Sequence, residues 1–264
     1  VAFCALVLIG SGAFLTSSQN PAASKAIATR TASVEVFYHL IAAAVVGILT
    51  LGLVVWLLFV AKNVWLRGLS WFALALFALD AWSGLWNLPS GVIVHACLAP
   101  VFFATLVAIC LLLSAGWREQ AEAVDDRGLA SLRLLALVAP PLVLVQIALG
   151  AAYRHKVMSV MWHMAGAMIV SLVTLIACTL ILQRYPAHRL LRPAAIAVLS
   201  IVLLQVTLGV TAFVIALLDT GSVLSLVLST VSHVLVGSMT LASTLLLGMQ
   251  LQRSFTARPV DQPV

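Results

Sequence analysis

The stretch HLIAAAVVGILTLGLVVWLL, residues 39–58, opens on a histidine and then runs through about five helical turns without a charge. A segment of this kind matches the hydrocarbon core of a bilayer, which about 20 apolar residues span. The plan recurs three times, as HACLAPVFFATLVAICLLLS from His95, HMAGAMIVSLVTLIACTLIL from His163 and HVLVGSMTLASTLLLGMQLQ from His233. Small residues recur behind each histidine, where close packing of membrane helices requires them. With 63% hydrophobic and 8% charged residues, the 264-residue chain lies far outside the range of soluble domains.

Eight apolar segments stand out, at 1–17, 36–61, 68–88, 92–115, 134–153, 158–182, 193–218 and 223–250. The first begins at Val1 with no methionine and reads as clipped at its start. A signal peptide is its other reading, but the segment has a place in the repeat. The expected fold is an all-α integral membrane protein. Its eight transmembrane helices form two tandem pseudo-symmetric four-helix bundles, 1–115 and 134–252, a known type of membrane plan. The stretch GWREQAEAVDDRGLASLR, 116–133, is the only long charged run and reads as a solvated cytoplasmic linker. Residues 253–264 read as a cytoplasmic tail.

The net charge of +6 reflects topology and not nucleic-acid binding. Of the 14 lysines and arginines, ten follow even-numbered segments, and Lys25, Arg30, Arg154 and Lys156 lie on the other side. The positive-inside rule then puts both termini in the cytoplasm and all four segment-opening histidines toward the outer face. A bacterial plasma membrane is the expected location. Cys4, Cys97, Cys110 and Cys178 all fall in apolar segments, so no structural disulfide is expected. The chain has no C-x-x-C-H motif, so any haem is held non-covalently.

Ionisable residues inside a membrane are costly and usually functional. Four histidines at one depth read as axial ligands of two haems, through neutral imidazole nitrogens in bundle cores. The expected pairs are His39 with His95 and His163 with His233. Interhelical hydrogen bonding is the bland alternative for any one of them. Arg154 and Lys156, with Lys25 and Arg30, are candidate partners for haem propionates, since such cations pair with carboxylates. Ordinary loop charge is their other reading. His188 and His155 read as surface residues.

Glu35, four residues before His39, shares its helix face. It reads either as a proton relay at the mouth of the first pocket or as an acid favoured by the helix dipole. Asp80 in segment 3 reads as a proton-handling group or a paired packing residue. It opens Asp80-Ala-Trp-Ser-Gly84, a motif spaced like Gln146-Ile-Ala-Leu-Gly150 and Gln205-Val-Thr-Leu-Gly209. Segment 1 offers Gly10 without a polar partner. The two glutamines read as packing residues.

These features together resemble the haem A synthase family of bacteria and mitochondria. They are two tandem four-helix units, one histidine per even helix, Q-x-x-L-G in helices 5 and 7, and an acid one turn before the first histidine. The resemblance covers essentially the whole chain. It implies haem b as cofactor between His163 and His233, and haem O as substrate between His39 and His95. It implies oxidation of a haem O ring methyl to a formyl group, giving haem A for cytochrome oxidase, with Glu35 catalytic. Lipid, haem O synthase or a respiratory complex would be partners, and oligomers are compatible. The chain departs from the family in three ways. Its acid is four residues before His39 where the family has three, Leu40 replaces an arginine, and the first outer loop lacks a cysteine pair. A non-enzymatic haem b cytochrome or accessory subunit, and a transporter-like bundle without haem, are the competing readings.

Overall fold

A computed structural model describes residues 1–18, 30–86, 88–119, 121–124, 130–218 and 222–256. Among the described residues the regular structure is helical throughout. The long helices are α1 (Ala2–Ser18), α2 (Arg30–Val60), α3 (Val64–Ser83), α4 (Pro89–Leu113), α5 (Ala130–Arg154), α6 (Val160–Arg184), α7 (Leu191–Leu218) and α8 (Val223–Thr256). Seven of them, α2 to α8, are long and apolar enough to cross a membrane. Helix α1 is equally apolar but has 17 residues. The chain is an integral membrane protein by these spans.

Boundaries differ from the sequence reading where polar side chains serve the helix itself. Helix α3 starts at Val64, four residues early, because Asn63 accepts the Trp65 N–H at 2.9 Å and caps the first turn. Arg67, which looks like a loop residue, lies inside that helix and donates Nε–H to the Ala61 carbonyl at 2.7 Å. Helix α8 continues to Thr256, so the first four residues of the expected tail are helical.

Consecutive helices pack side by side, α1 on α2 on α3 on α4, and α5 on α6 on α7 on α8. Contacts α1–α4 and α5–α8 close each set, leaving α2 diagonal to α4 and α6 diagonal to α8 without extended contact. Helices α4 and α8 also pack on each other, and α1–α8 and α4–α5 flank that seam. Leu106 and Ile109 of α4, with Leu57 of α2, are fully buried in a cluster that α1, α3 and α8 complete. A second cluster, with Leu132, Ile181, Leu191 and Leu251, closes the opposite ends of α5 to α8.

His188 is not the solvated surface residue that its basic loop implied; it is 5% exposed. Its Nδ1 accepts the backbone N–H groups of Leu190 and Leu191, each at 3.2 Å, and so satisfies donors that the start of α7 leaves orphaned. Its Nε2 lies 3.4 Å from Ser254 Oγ on α8. The described part of the linker is held against the same corner rather than running free in solvent. Val124 N–H donates to the Ser254 carbonyl at 3.1 Å, and Glu119 pairs with Arg189 at 3.1 Å. Arg253 donates to the Gly116 and Glu119 carbonyls and lies over the Trp117 ring. Sequence distance hid this corner, since its parts come from three separate segments.

His188→Ala removes the acceptor for both α7 donors and is expected to destabilise the protein by about 1 kcal/mol. His188→Asn, which keeps an acceptor, should recover part of that. Thermal unfolding in detergent measures both; equal melting of all three proteins would refute the capping role.

Candidate functional site

Each of the four histidines lies against a glycine of the helix before it. A Cβ at Gly12 would come within 3.0 Å of His39 Cε1, and one at Gly84 within 3.3 Å of His95 Nδ1. At Gly150 and Gly209 the distances to Cε1 of His163 and His233 would be 2.8 Å. At Gly150 and Gly209 a Cβ would have to displace the imidazole, and at Gly12 and Gly84 the ring would have to give by a few tenths of an ångström. The glycines thus let the backbones of an odd and an even helix approach with a ring between them.

The approach brings each Nδ1 to a polar group one turn or less from the glycine. His39 Nδ1 meets Ser11 Oγ at 2.9 Å. His95 Nδ1 lies 2.9 Å from Asp80 Oδ1 and 3.0 Å from the Asp80 carbonyl. His163 Nδ1 lies 2.9 Å from Gln146 Nε2, which also donates to the His163 carbonyl at 2.8 Å. His233 Nδ1 meets the Gln205 carbonyl at 3.1 Å. The motif glycine of α1 is therefore Gly12, not Gly10, which faces Leu235. The pair Ser11-Gly12 repeats Ser83-Gly84, a signal available in the sequence. The glutamines, read as packing residues, hold histidines.

A histidine whose Nδ1–H donates to its anchor presents a bare Nε2 to a ligand, the usual arrangement around metal-binding imidazoles. His39, His95 and His233 meet acceptors at Nδ1, whereas His163 meets the Gln146 amide nitrogen, a donor. Among the described residues no hydrogen bond engages Nε2 of His39, His95 or His163. That of His233 has Gln205 Nε2 at 3.4 Å. The rings of His163 and His233 face each other across the α6–α8 diagonal with centroids 6.2 Å apart and planes at 81°. Two imidazoles on one iron, with bonds of about 2.0 Å, set ring centroids about 6 Å apart. The second pair stands at about that separation, with its ring planes nearly perpendicular. His39 and His95 make no such ring contact. Among the described residues no three His, Cys, Asp or Glu side chains converge on a point. A porphyrin needs only two, because it supplies four ligands itself.

Glu35 and His39 both reach α1 from one face of α2. Ser18 Oγ donates to Glu35 Oε2 at 2.6 Å, two turns above the Ser11–His39 contact. Ser18 also borders an apolar hollow of about 190 Å³ between α1 and α8, lined by Phe14, Val223, Leu224 and Val227. Arg154, at the end of α5, crosses to α1 and donates from Nη2 to the Ala13 carbonyl at 3.0 Å and to Ser17 Oγ at 2.6 Å. One guanidinium nitrogen thus joins the two helix sets; among the described residues no partner engages Nε or Nη1. Burial and the neighbouring Arg154 guanidinium hold the His155 pKa below its ordinary value. Lys156 is exposed at φ 59°, in a left-handed turn closed by the Val157 N–H on the Ala152 carbonyl at 2.8 Å. Lys25 lies outside the described residues, as does the side chain of Arg30.

Comparisons with family models, with curated proteins and with solved structures return no match.

If the second pair holds a haem, Gly150→Ala and Gly209→Ala are expected to push its imidazoles off their anchors and to lower the haem content. Gly68→Ala, where an added Cβ meets nothing within 4 Å, should leave haem content unchanged. Haem per chain in the purified variants decides; full haem content in both site variants would overturn the role of the close approach.

Proposed function

We propose that this chain is a haem-binding membrane protein of the haem A synthase type. In this reading α1 completes a set of eight spanning helices, and α1–α4 and α5–α8 are two pseudo-symmetric bundles. Both termini are cytoplasmic and both haem sites open toward the outer face. Haem b sits between His163 and His233, and haem O enters as substrate between His39 and His95. The observation that carries the reading is the His163–His233 pair, whose rings stand 6.2 Å apart with Nδ1 anchored on both.

The bound haem b would supply electron transfer, and the chain does the rest. Ser11 and Asp80 hold the first pair of histidines by Nδ1, so that Nε2 meets the substrate iron. Ser18 holds Glu35 about a turn beyond His39, where the carboxylate accepts a proton from the reacting ring substituent. The apolar hollow beside Ser18 suits a hydrophobic substituent of that ring. Arg154 places two guanidinium nitrogens at the same end, suited to propionates. Product would leave as haem A: with water as the oxygen source, converting the methyl to a formyl group releases four protons and four electrons, the electrons passing to an external acceptor.

A second reading rests on a specific feature. Leu40 follows His39 where the resemblance calls for arginine, and it is exposed. A dihaem cytochrome or accessory subunit of a respiratory complex keeps the four ligands and lacks the oxidation. Expression with haem O supplied, followed by haem extraction and pyridine-haemochrome analysis, separates the two. Haem A or its alcohol precursor beside haem b is the expected result. Haem b alone would establish the cytochrome, and a colourless protein would exclude both. Glu35→Ala is expected to keep haem b and lower formyl product by about a hundredfold; undiminished product in that variant would remove Glu35 from the chemistry.

A further inference from the structure

The four Nδ1 anchors are chemically unequal. His39 leans on a hydroxyl, His163 on an amide and His233 on a backbone carbonyl. Only His95 leans on a carboxylate, with Asp80 Oδ1 at 2.9 Å. Asp80 is 7% exposed, and no lysine or arginine pairs with it among the described residues. Its Oδ1 is fully buried and receives no conventional hydrogen bond, so the His95 ring is its near polar neighbour. The Asp80 backbone carbonyl, 3.0 Å from the same nitrogen, fixes the ring plane. Ser83 Oγ donates to that carbonyl at 2.8 Å and holds the turn in place.

We propose that Asp80 is a positioning residue that makes His95 the strongest electron donor of the four ligands and gives the first-half iron the lower reduction potential. The inference rests on the haem reading above. The Asp80 backbone carbonyl takes the Nδ1–H and raises the basicity of Nε2, as outer partners of metal-bound imidazoles do, and the carboxylate 2.9 Å from the same nitrogen adds its charge. Its negative charge, little screened in an apolar bundle, also favours the more positive oxidised iron. His233 has a carbonyl partner too, in Gln205, but neither His163 nor His233 has a carboxylate beside it, so the charge is what sets His95 apart. Hydrogen bonding and charge around the axial ligand are among the levers that set haem potentials. An electron shared by the two irons then rests on the second-half iron, leaving the first-half iron oxidised. Such a gradient draws electrons away from the half in which the substrate would be held.

The test is a potentiometric titration of the purified full-length protein loaded with haem, followed optically and by electron paramagnetic resonance. Wild type should show two waves. Asp80→Asn keeps the shape and removes the charge; the lower wave should move up while the upper wave and the haem content stay as they were. Gln146→Glu places a carboxylate on His163 and should move the upper wave down. Two haems with an unmoved lower wave in Asp80→Asn would overturn the proposal and leave the haem reading standing. If Asp80→Asn sheds the first haem, an unmoved upper wave in Gln146→Glu overturns it instead. Wild-type protein without haem overturns the haem reading itself.

Discussion

The close contact of a histidine ring with a bare glycine backbone is the constraint around which this bundle is arranged. Within a bilayer, apolar side chains gain little by touching each other instead of lipid, so helix pairs need packing contacts and polar contacts to hold them. The four His–Gly contacts supply both at once. The missing Cβ lets the ring edge come close to the partner helix, and the ring nitrogen then reaches a group within a turn of the glycine. In membrane proteins a single such hydrogen bond contributes roughly 0.6–2 kcal/mol. Its larger consequence is geometric: each odd helix fixes the plane and the free nitrogen of the histidine on the next even helix. Helix packing and ligand presentation are one contact.

That coupling explains why the even helices do not need to touch. Helix α6 stands diagonal to α8, and α5 and α7 hold each of them from the side. The space between the two rings is left to whatever the imidazoles bind. The two helix sets meet along α4 and α8, where large side chains fill the seam, and Arg154 adds a polar tie at one end. The Arg154 tie lands on Ala13 and Ser17, between the Ser11–His39 contact and the Ser18–Glu35 contact. His39 and Glu35 therefore both hang from a short piece of α1 that the second set braces.

The membrane class and the histidine series were legible because they rest on periodic, one-dimensional signals: a run of apolar residues and a histidine at its head. Gln146, Gln205 and Asp80 were visible as a spaced motif with glycine, but their targets were not, since the contact is made across helices. Gly12 was missed because Gly10 is equally plausible on spacing alone, and only the ring of His39 selects between them. His188 was misjudged for a different reason. Its loop is basic and looks wet, yet two orphaned backbone donors of α7 and Ser254 of α8 enclose it. Local composition cannot report a partner more than 60 residues away along the chain.

The two halves share a scaffold and differ in the groups that hold the rings. The second half uses neutral anchors, the side-chain amide of Gln146 and the backbone carbonyl of Gln205, and brings its ring centroids to 6.2 Å. The first half uses a hydroxyl and a carboxylate, keeps its rings out of mutual contact, and places Glu35 beside one of them. Glycine and histidine are kept in all four units, so the fold does not demand these differences. They fall instead on the groups that set ligand basicity and proton traffic. Both acids lie in the half whose rings are not in mutual contact, Asp80 beside His95 and Glu35 held by Ser18 about a turn from His39.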